Sequence, residues 1–370
     1  MTTTRSAFTA RSDSRHAADE LIAALADARP RVLVFFAALG HDGALLGDAL
    51  AARFPGACVL GCSTNGEFSN SGHGKGGVAA LAIGDDRIGA CACALAEVDG
   101  DLEQGLARAG DTLAERLGRP LRELDPARHI GLALLEGAHG REEAINAALG
   151  DLAPLLRFVG GSAGDNISFT GTWAYADGRV SAGGTALLVA EMRSPFEVFK
   201  TCHFTPGERS VVVTRSHQRT ILELDGRPAA AYYAELIGRR PEALGFADFL
   251  ANPLGLMIDG EAWLRSLVRV EGEGLFLACA VAEGSRLSLM RPTDLVADTR
   301  ARIERARAQL GSIDGAILFN CAYRMIEADL TGQVDAYHAT LATMTHAGMQ
   351  SNGESYLGHI NQTLTGLVWA

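Results

Sequence analysis

Three serines in glycine-rich segments are the first candidates for chemistry in this sequence. The segment Gly-Gly-Ser-Ala-Gly at 160–164 has the letters of the Gly-x-Ser-x-Gly elbow that presents a nucleophilic serine in hydrolases. That elbow requires a helix directly after the serine, whereas residues 165–171 are of types common in turns and strands. Ser63 and Ser351 occupy similar segments without the full motif. Because no complete set of nucleophile, base and orienting residue is visible, we expect repeated tight turns rather than an enzyme.

Two histidines occupy positions that suit a cofactor or ligand site, and histidine is a common axial ligand of iron. His203 ends an apolar segment at 196–204, where the two halves of the sequence meet, and such a junction is a common place for a cofactor pocket. A half-buried, hydrogen-bonded histidine is the alternative for this position. His359 opens the polar segment 359–363, which either ties down the C-terminus or lines a ligand site, because buried polar side chains need partners.

Polar residues near the ends of predicted strands are candidates for binding a small ligand. Asn320 and Arg324 follow an apolar strand predicted at 316–319, and a guanidinium there suits a carboxylate, with a structural salt bridge as the equal alternative. Glu67 and Glu354 occupy matching positions after their serines, where stabilising the turn is the favoured role. The candidate ligand-binding residues are His203, His359, Arg324, Asn320, Asn361, Gln362, Thr363, Ser63, Ser162 and Glu354.

The elements that must position these residues follow a threefold repeat of strand, helix, strand, serine segment and further strand. The first strands begin at Val32, Ile130 and Ala316, and the serines follow 31, 32 and 35 residues later. Near-constant spacing indicates internal duplication. A strand–helix–strand unit predicts a parallel pair with a right-handed crossover, and the later strands add antiparallel pairs. The predicted fold class is therefore α/β, with mixed sheets built from repeated strand–helix–strand units. Helices are expected at 44–53, 142–149 and 335–345.

The repeats also suggest how the chain divides into domains. We expect an N-terminal extension with a helix at 1–29, an N-terminal domain at 30–208 and a C-terminal domain at 209–370. Between the second and third repeats the pattern changes to short apolar strands that are typical of antiparallel sheets. Such strands are able to pair between two chains, so a homo-oligomer is an open alternative.

Composition excludes several classes of protein. Among 370 residues, 44 acidic side chains outnumber 33 basic ones and give a net charge of -11, which disfavours nucleic acid and anionic membranes as partners. The apolar runs are of strand length, so no membrane helix is expected. The seven cysteines form no Cys-x-x-Cys pair, and several lie in apolar runs where cysteine is typically a small buried hydrophobe. A cytoplasmic location is expected from this pattern.

In the order of its motifs the sequence resembles the FIST family, with the N-terminal and C-terminal parts of that family together. The resemblance extends from residue 30 to the end of the chain and rests on the segments 61–67, 78–83, 160–165, 213–214, 223–229, 318–321, 352–354 and 359–366. It implies a sensory module that binds a small ligand, reports to signalling partners and has no established catalysis. Since the chain leaves no room for an output domain, we expect a stand-alone member.

One stand-alone group, the NosP-like proteins, is similar in the segments 202–205 and 211–214. That resemblance implies binding of haem b, a response to nitric oxide and control of a partner histidine kinase, with His203 as the first and His359 as the second choice for the iron ligand. The alternative is a module that binds amino acids or related small metabolites without haem. In that alternative Arg324, Asn361 and Gln362 contact the ligand together with the serine segments.

Overall fold

A computed structural model describes residues 4–168 and 170–370, and in it the repeat becomes three structural units with one order of elements. Residues 1–3 of the predicted extension lie outside the described residues. The first unit contains β1 (Arg5–Thr9), α1 (Ser14–Ala24), β2 (Pro30–Ala38), α2 (Gly43–Arg53), β3 (Cys58–Thr64), β4 (Glu67–Ser69), β5 (Gly72–Gly74) and β6 (Val78–Gly84). The second contains β7 (Ile88–Glu97), α3 (Leu102–Leu117), a 3-10 turn (Leu121–Glu123), β8 (His129–Leu135), α4 (Glu142–Leu152), β9 (Phe158–Ser162), β10 (Ala174–Ala176), β11 (Arg179–Ser181) and β12 (Gly184–Met192).

The third unit is interrupted after its first strand by a domain that we call the insert, residues 204–292. The unit begins with β13 (Phe196–Thr201). The insert contains β14 (Phe204–His217), β15 (Thr220–Leu224), β16 (Arg227–Pro228), α5 (Ala229–Leu236), a 3-10 turn (Pro241–Ala243), α6 (Phe246–Ala251), β17 (Leu254–Ile258), β18 (Glu261–Arg265), β19 (Leu267–Glu271), β20 (Gly274–Leu277) and β21 (Arg286–Pro292). The unit then continues with α7 (Leu295–Leu310), β22 (Gly315–Cys321), α8 (Ala322–Leu330), α9 (Val334–Leu341), β23 (His346–Ser351), β24 (Glu354–Tyr356), β25 (His359–Ile360) and β26 (Leu364–Trp369).

Each unit builds one mixed sheet, and the three sheets share a strand order. The orders are β1-β6-β2-β3, β7-β12-β8-β9 and β13-β26-β22-β23, each followed by a two-stranded hairpin. The pairs β2/β3, β8/β9 and β22/β23 are parallel, and the strand that closes each unit pairs antiparallel to the first member. The predicted α/β class with mixed sheets is therefore confirmed.

The hairpin at the end of each sheet comes from a different unit. The hairpin β4-β5 of the first unit pairs with β23 of the third, β10-β11 of the second with β3 of the first, and β24-β25 of the third with β9 of the second. This cyclic exchange joins the three units into one body, because every sheet is completed by its neighbour.

Apolar side chains explain why the sheets pack face to face with helices outside. The central strands of the three sheets are buried on both faces. The inner faces of the sheets form one core, in which the Phe36 and Phe319 rings meet edge to face, 6.0 Å apart. The helices cover the outer faces. The insert has an apolar core of its own, around Val213, Ile221 and Tyr233. Aspartates that accept a hydrogen bond from the first helical turn begin four of the helices: Asp13, Asp42, Asp101 and Asp294.

The structural unit is longer than the sequence repeat suggested. Strand β1 and helix α1 lie in the predicted extension 1–29, yet β1 pairs with β6 and belongs to the first sheet. The predicted boundary at 208/209 lies within strand β14. The helix expected at 335–345 is α9 and ends at Leu341, and α8 follows β22 directly. Across the described ranges, 4–168 and 170–370, no helix combines the length and apolar character required to cross a bilayer.

Candidate functional site

The three serine segments meet at one place, which we call the junction and define as residues 63–67, 162–165 and 350–354. Backbone N–H groups of each segment donate to carbonyls of another: Asn65 to Gln350 (3.0 Å), Gly164 to Ser63 (2.9 Å) and Asn352 to Ser162 (3.1 Å). The side chains of Asn65 and Asn352 are also bonded to each other at 2.8 Å. The junction lies where the parallel strands end, which is where α/β proteins commonly bind ligands.

A hydroxyl and a carboxylate three residues apart recur in each segment of the junction. Thr64 donates to Glu67 (3.3 Å) and Ser351 donates to Glu354 (2.6 Å). The third such hydroxyl is that of Ser162, and its Oγ is buried without a hydrogen-bond partner among the described residues.

The structure corrects the predicted correspondence of the serines by one residue. Thr64 ends β3 as Ser162 and Ser351 end their strands, so Thr64 is their equivalent and Ser63 is not. Ser63 is buried, and its Oγ accepts from the N–H of Trp173 at 3.2 Å. The N–H of Ser63 donates to the carbonyl of the same tryptophan. Ser63 therefore holds the exchanged hairpin in place.

We call the three segments of the junction the first, second and third turns, in chain order. Glu354 is a fully buried carboxyl group on the third turn. It accepts hydrogen bonds from Ser351 and from both the N–H (3.2 Å) and the hydroxyl (2.6 Å) of Thr363. Burial raises the pKa of Glu354 to about 8, because desolvation penalises the charged form more than these bonds favour it. At neutral pH this side chain is therefore mainly protonated and offers no negative charge to a ligand.

A small chamber lies between the junction and the insert. Its volume is about 10 Å³, and its lining residues are Ile167, Ser266, Ala278, Cys321, Ala322, Tyr323, Ser351, Asn352 and Asn361. Both polar atoms of the Asn361 side chain are buried there without hydrogen-bond partners in the described part of the chain. A side chain at Gly353 has no room, because its Cβ would lie 2.7 Å from the Asn361 amide nitrogen and 2.3 Å from a His359 ring carbon.

The backbone beside the chamber is strained. Ile167 has a φ of 60° and Gln362 a φ of 50°, in the left-handed region that a β-branched residue such as isoleucine rarely adopts. Asn166, which precedes Ile167, also has a positive φ of 61°. Strain of this kind persists where the surroundings hold it, and it is concentrated at ligand sites.

Arg324, Asn320 and His203 form a buried network with helix α8. Arg324 donates to the Asn320 side chain (3.1 Å), to the Thr299 hydroxyl (2.9 Å) and to Nδ1 of His203 (2.9 Å). The carboxylate of Glu327 lies 2.8 Å from Nε2 of the same histidine. Because a guanidinium only donates, Nδ1 of His203 accepts and Nε2 carries the proton toward Glu327. Burial lowers the pKa of His203, in agreement with a neutral ring.

The segment 359–363 contacts the insert. The Gln362 side chain accepts from the hydroxyl of Ser266 (2.6 Å) and donates to the carbonyl of Leu250 (3.2 Å). Nε2 of His359 lies 3.3 Å from the carbonyl of Ala278, whereas its Nδ1 is buried with no partner among residues 4–168 and 170–370. Since a carbonyl only accepts, Nε2 carries the proton and Nδ1 is a free acceptor. Burial lowers the pKa of His359.

A larger groove of about 730 Å³ opens beside His359, between helix α4 and the insert. Phe158, Trp263 and Leu357 line it, together with the charged residues Arg157, Arg265, Glu143 and Asp259. Arginines beside aromatic surface suit a flat ligand that carries carboxylates.

The two predicted iron ligands differ in how they fit haem. His203 does not fit, because Arg324 and Glu327 engage both of its ring nitrogens and leave no lone pair for a metal. His359 fits better, since it borders the groove and its Nδ1 accepts no hydrogen bond within the described residues. The first choice of the sequence analysis thus belongs to a structural network and the second to a candidate site.

Comparisons with known proteins agree with this architecture. The model of the FIST N domain matches residues 31–227, and that of the FIST C domain matches residues 229–356. The chain belongs to the FIST family. FIST domains are sensory modules that bind ligands in signal transduction.

The chain is also similar to an uncharacterized protein of Methanocaldococcus jannaschii, with 26% identity over 280 residues. The match covers 70% of this chain but 53% of the relative, so the FIST protein spans about half the length of that curated relative. Among solved structures, a chorismatase crystal structure aligns with a TM-score of 0.34 and 11% identity, covering 91% of this chain and 92% of the other.

Of the ten predicted site residues, the structure brings seven to the junction or to its contact with the insert: His359, Asn361, Gln362, Thr363, Ser63, Ser162 and Glu354. Arg324, Asn320 and His203 lie together in the network of helix α8. Sequence analysis missed Glu327 and Ile167. Glu327 follows Arg324 by three residues, a helical spacing that signals a shared face, but nothing local signals its contact with His203.

Proposed function

We propose that this FIST protein is a sensor without catalytic activity that binds a small polar metabolite of amino-acid type between the junction and the insert. The observation that carries the proposal is the Asn361 side chain, whose two polar atoms are buried without hydrogen-bond partners in the described chain. Leaving a buried amide unsatisfied costs about 1–3 kcal/mol per group, so such an amide requires an explanation, and a ligand supplies one.

The chemistry of the chamber favours a ligand with both donors and acceptors. The Asn361 amide supplies one of each, and Nδ1 of His359 supplies an acceptor nearby. A carboxylate ligand would receive the amide N–H, and an amine would donate to the amide oxygen or to the imidazole. Arg324 is not available as a partner, because Asn320, Thr299 and His203 use its nitrogens.

Ligand entry requires the insert to move, because the chamber of about 10 Å³ holds no more than a single water. The insert is joined to the third unit at two chain crossings, near 201–204 and 292–295. Elsewhere the insert contacts the core through apolar packing, such as that of Leu250 with Cys321 and Tyr323, and through polar contacts. The polar contacts include those of Arg219 with Glu142 (2.5 Å) and Glu143 (2.6 Å). A ligand that bridges core and insert therefore selects one position of the insert, and a partner such as a histidine kinase would detect that position.

The test is a thermal-shift and calorimetric screen of the twenty amino acids at millimolar concentration. We expect at least one to raise the Tm of the wild-type protein, since a ligand at 100 times its Kd stabilises the folded state by about 2.7 kcal/mol. Asn361→Leu should keep the fold and abolish that shift, whereas Asn70→Ala, which changes an exposed asparagine far along the chain, should retain it. No shift with any amino acid, or an undiminished shift in Asn361→Leu, would contradict the proposal.

Haem in the groove is the second candidate. Two observations favour it: His359 lines the groove, and its Nδ1 has no hydrogen-bond partner among the described residues. There His359 would supply the iron ligand, Trp263 and Phe158 the apolar contacts, and Arg157 and Arg265 partners for carboxylates. When bound, haem would supply an iron centre that responds to nitric oxide.

Absorption spectra of protein from haem-supplemented cells, and of the apoprotein titrated with haemin, test this candidate. A Soret band that persists in His203→Asn and is lost in His359→Ala is the expected result. A protein that remains colourless and takes up no haemin would eliminate haem, as would a band that is unchanged in His359→Ala.

A further inference from the structure

Three of the seven cysteines lie together at the contact of the first and second sheets. Cys58 begins strand β3, and Cys91 and Cys93 lie two residues apart on strand β7, so their side chains share one face. That face packs against the first sheet. The sulfur atoms of Cys58 and Cys91 are 3.6 Å apart, and Cys93 also interacts with Cys58.

This cluster is far from the ligand site. Cys58 is at the start of β3 and Thr64 of the junction is at its end, and six residues of strand span roughly 20 Å. Cys58 and Cys91 are half-buried, so a small reagent reaches them. Cys62, by contrast, is fully buried in the same strand and next to the thioether of Met349.

The surroundings shift the pKa values of Cys91 and Cys58 in opposite directions. The hydrogen bond from Cys58 and the nearby guanidinium of Arg31 lower the pKa of Cys91 to about 7, although burial opposes this change. The same contacts with Cys91 and Cys93 raise the pKa of Cys58. Burial raises the pKa of Cys62 as well. Contact with Cys58 also lowers the pKa of Cys93, but Cys93 is buried whereas Cys91 is half-buried. Cys91 is therefore the more accessible of the two thiols with a lowered pKa, and the thiolate is the nucleophile.

We propose that Cys91 and Cys58 form an oxidant-responsive thiol pair that a peroxide converts to a disulfide across the two sheets. The Cys91 thiolate attacks one peroxide oxygen, an S–O bond forms, the O–O bond breaks, and the released hydroxide takes up a proton to become water. The sulfur of Cys58 then attacks the sulfenic sulfur of Cys91, the S–S bond forms, and hydroxide leaves with the Cys58 proton as a second water. Two thiols are oxidised and one hydrogen peroxide is reduced to two waters.

The disulfide would join the first and second units through residues that are 33 positions apart in the chain. A cross-link of that length restricts the unfolded chain and so raises the Tm. Because the pair lies apart from the junction, it supplies a second input to the protein that does not depend on the ligand.

The experiment treats the full chain with stoichiometric hydrogen peroxide at pH 7 and maps disulfides by mass spectrometry without reduction. We expect one Cys58–Cys91 disulfide, a raised Tm, and reversal of both by dithiothreitol. Iodoacetamide should alkylate Cys91 about tenfold faster than an ordinary cysteine, in keeping with its larger thiolate fraction. Cys62→Ser serves as the matched control and should form the disulfide as the wild type does.

Single variants test the roles of Cys58 and Cys91 separately, and a spectroscopic control shows whether each variant folds. Cys58→Ser should accumulate the sulfenic acid of Cys91, which dimedone traps, whereas Cys91→Ser should trap no dimedone at the cluster. Near-UV circular dichroism of each reduced variant confirms that the fold is retained. A Cys58–Cys93 disulfide, equal alkylation rates at Cys91 and Cys62, or oxidation of Cys91 to sulfinic acid without a disulfide would overturn the proposal.

Discussion

The first and third turns of the junction have the same Asn-Gly-Glu sequence and differ in what their glutamates hold. Glu67 accepts hydrogen bonds from the backbone N–H groups of Gly76 (2.9 Å) and Gly77 (2.6 Å), within its own unit. Glu354 accepts from Ser351 as Glu67 does from Thr64, but its other donors are the N–H and the hydroxyl of Thr363. The repeat thus supplies the same turn twice, and of these two turns only the third contributes residues, Ser351 and Asn352, to the chamber beside the insert. The repeated units form the scaffold, and contact with the insert makes the third turn a candidate binding site.

The hydroxyl groups extend this comparison to the second turn. Thr64 and Ser351 donate to their glutamates, whereas the Ser162 hydroxyl has no partner among the residues that the structure describes. Asp165, which follows it by three residues, accepts instead from the Ser168 hydroxyl at 2.9 Å. The same spacing of hydroxyl and carboxylate therefore gives a hydrogen bond between the two groups in the first and third units, whereas the carboxylate of the second unit bonds to Ser168.

Replacing Glu67 by alanine should have the largest effect of the substitutions that compare the turns. The change leaves the Gly76 and Gly77 N–H groups and the Thr64 hydroxyl without their acceptor, so we expect a loss of about 3 kcal/mol in the free energy of unfolding. Urea denaturation measures it, with the exposed Glu103→Ala as control. A loss under about 0.5 kcal/mol, as is common for surface substitutions, would show that the first turn does not depend on this carboxylate.

Glu354→Gln should change the pH dependence of stability rather than stability as a whole. The folded-state pKa of about 8 lies above the unfolded value of 4.5, so the folded protein retains a proton that the unfolded chain releases. The stabilisation is complete below pH 4.5 and is lost as the pH rises through 8. We expect the variant to lack this decline and to be more stable than the wild type at pH 8 and above.

Denaturation of both proteins from pH 4 to pH 9 measures this difference. A wild-type profile that is parallel to that of Glu354→Gln would mean that the glutamate is ionised in the folded state. In that case the carboxyl group of Glu354 would behave as it does in a solvated turn, and protonation would not distinguish the third turn from the first.

The hydroxyl groups give the smallest expected effects. Ser351→Ala removes a hydrogen bond to Glu354 and should cost about 1 kcal/mol. Ser162→Ala removes an oxygen with no partner in the described chain and should be neutral or slightly stabilising. The Tm values of the two variants test the pair together. Equal losses would indicate that Ser162 has a partner such as a ligand or bound water in solution.

Much of the framework followed from local sequence patterns. Apolar strands around a helix predicted the three parallel pairs, since a short crossover leaves few other arrangements. The same reasoning missed β1, because its partner β6 lies about seventy residues away and the strand itself carries no distinctive pattern. It also paired Ser63 with Ser351, because both serines follow the start of their first strand by a similar number of residues, 31 and 35. Aligning the Asn-Gly-Glu sequences of the two segments would have identified Thr64 as the equivalent of Ser351.

The candidate site was predictable only in part. The polar segment 359–363 was recognised because polar side chains ahead of a buried strand require partners. Its partners Ser266, Leu250 and Ala278 come from the insert, about a hundred residues earlier in the chain. His203 was interpreted as an iron ligand from its position between two halves, and no local pattern indicated that Glu327 and Arg324 engage both of its nitrogens.

The sequence by itself determined the class of fold, the threefold repeat and the chemical types at the turns, because periodicity and spacing act over tens of residues. The tertiary structure alone decided which unit completes which sheet and which turn the insert covers, and whether a buried polar atom has a partner. Those outcomes depend on contacts between residues as far apart as Asn65 and Asn352. Such contacts form only when the sheets pack together, so they cannot be predicted from the residues next to each partner in the sequence.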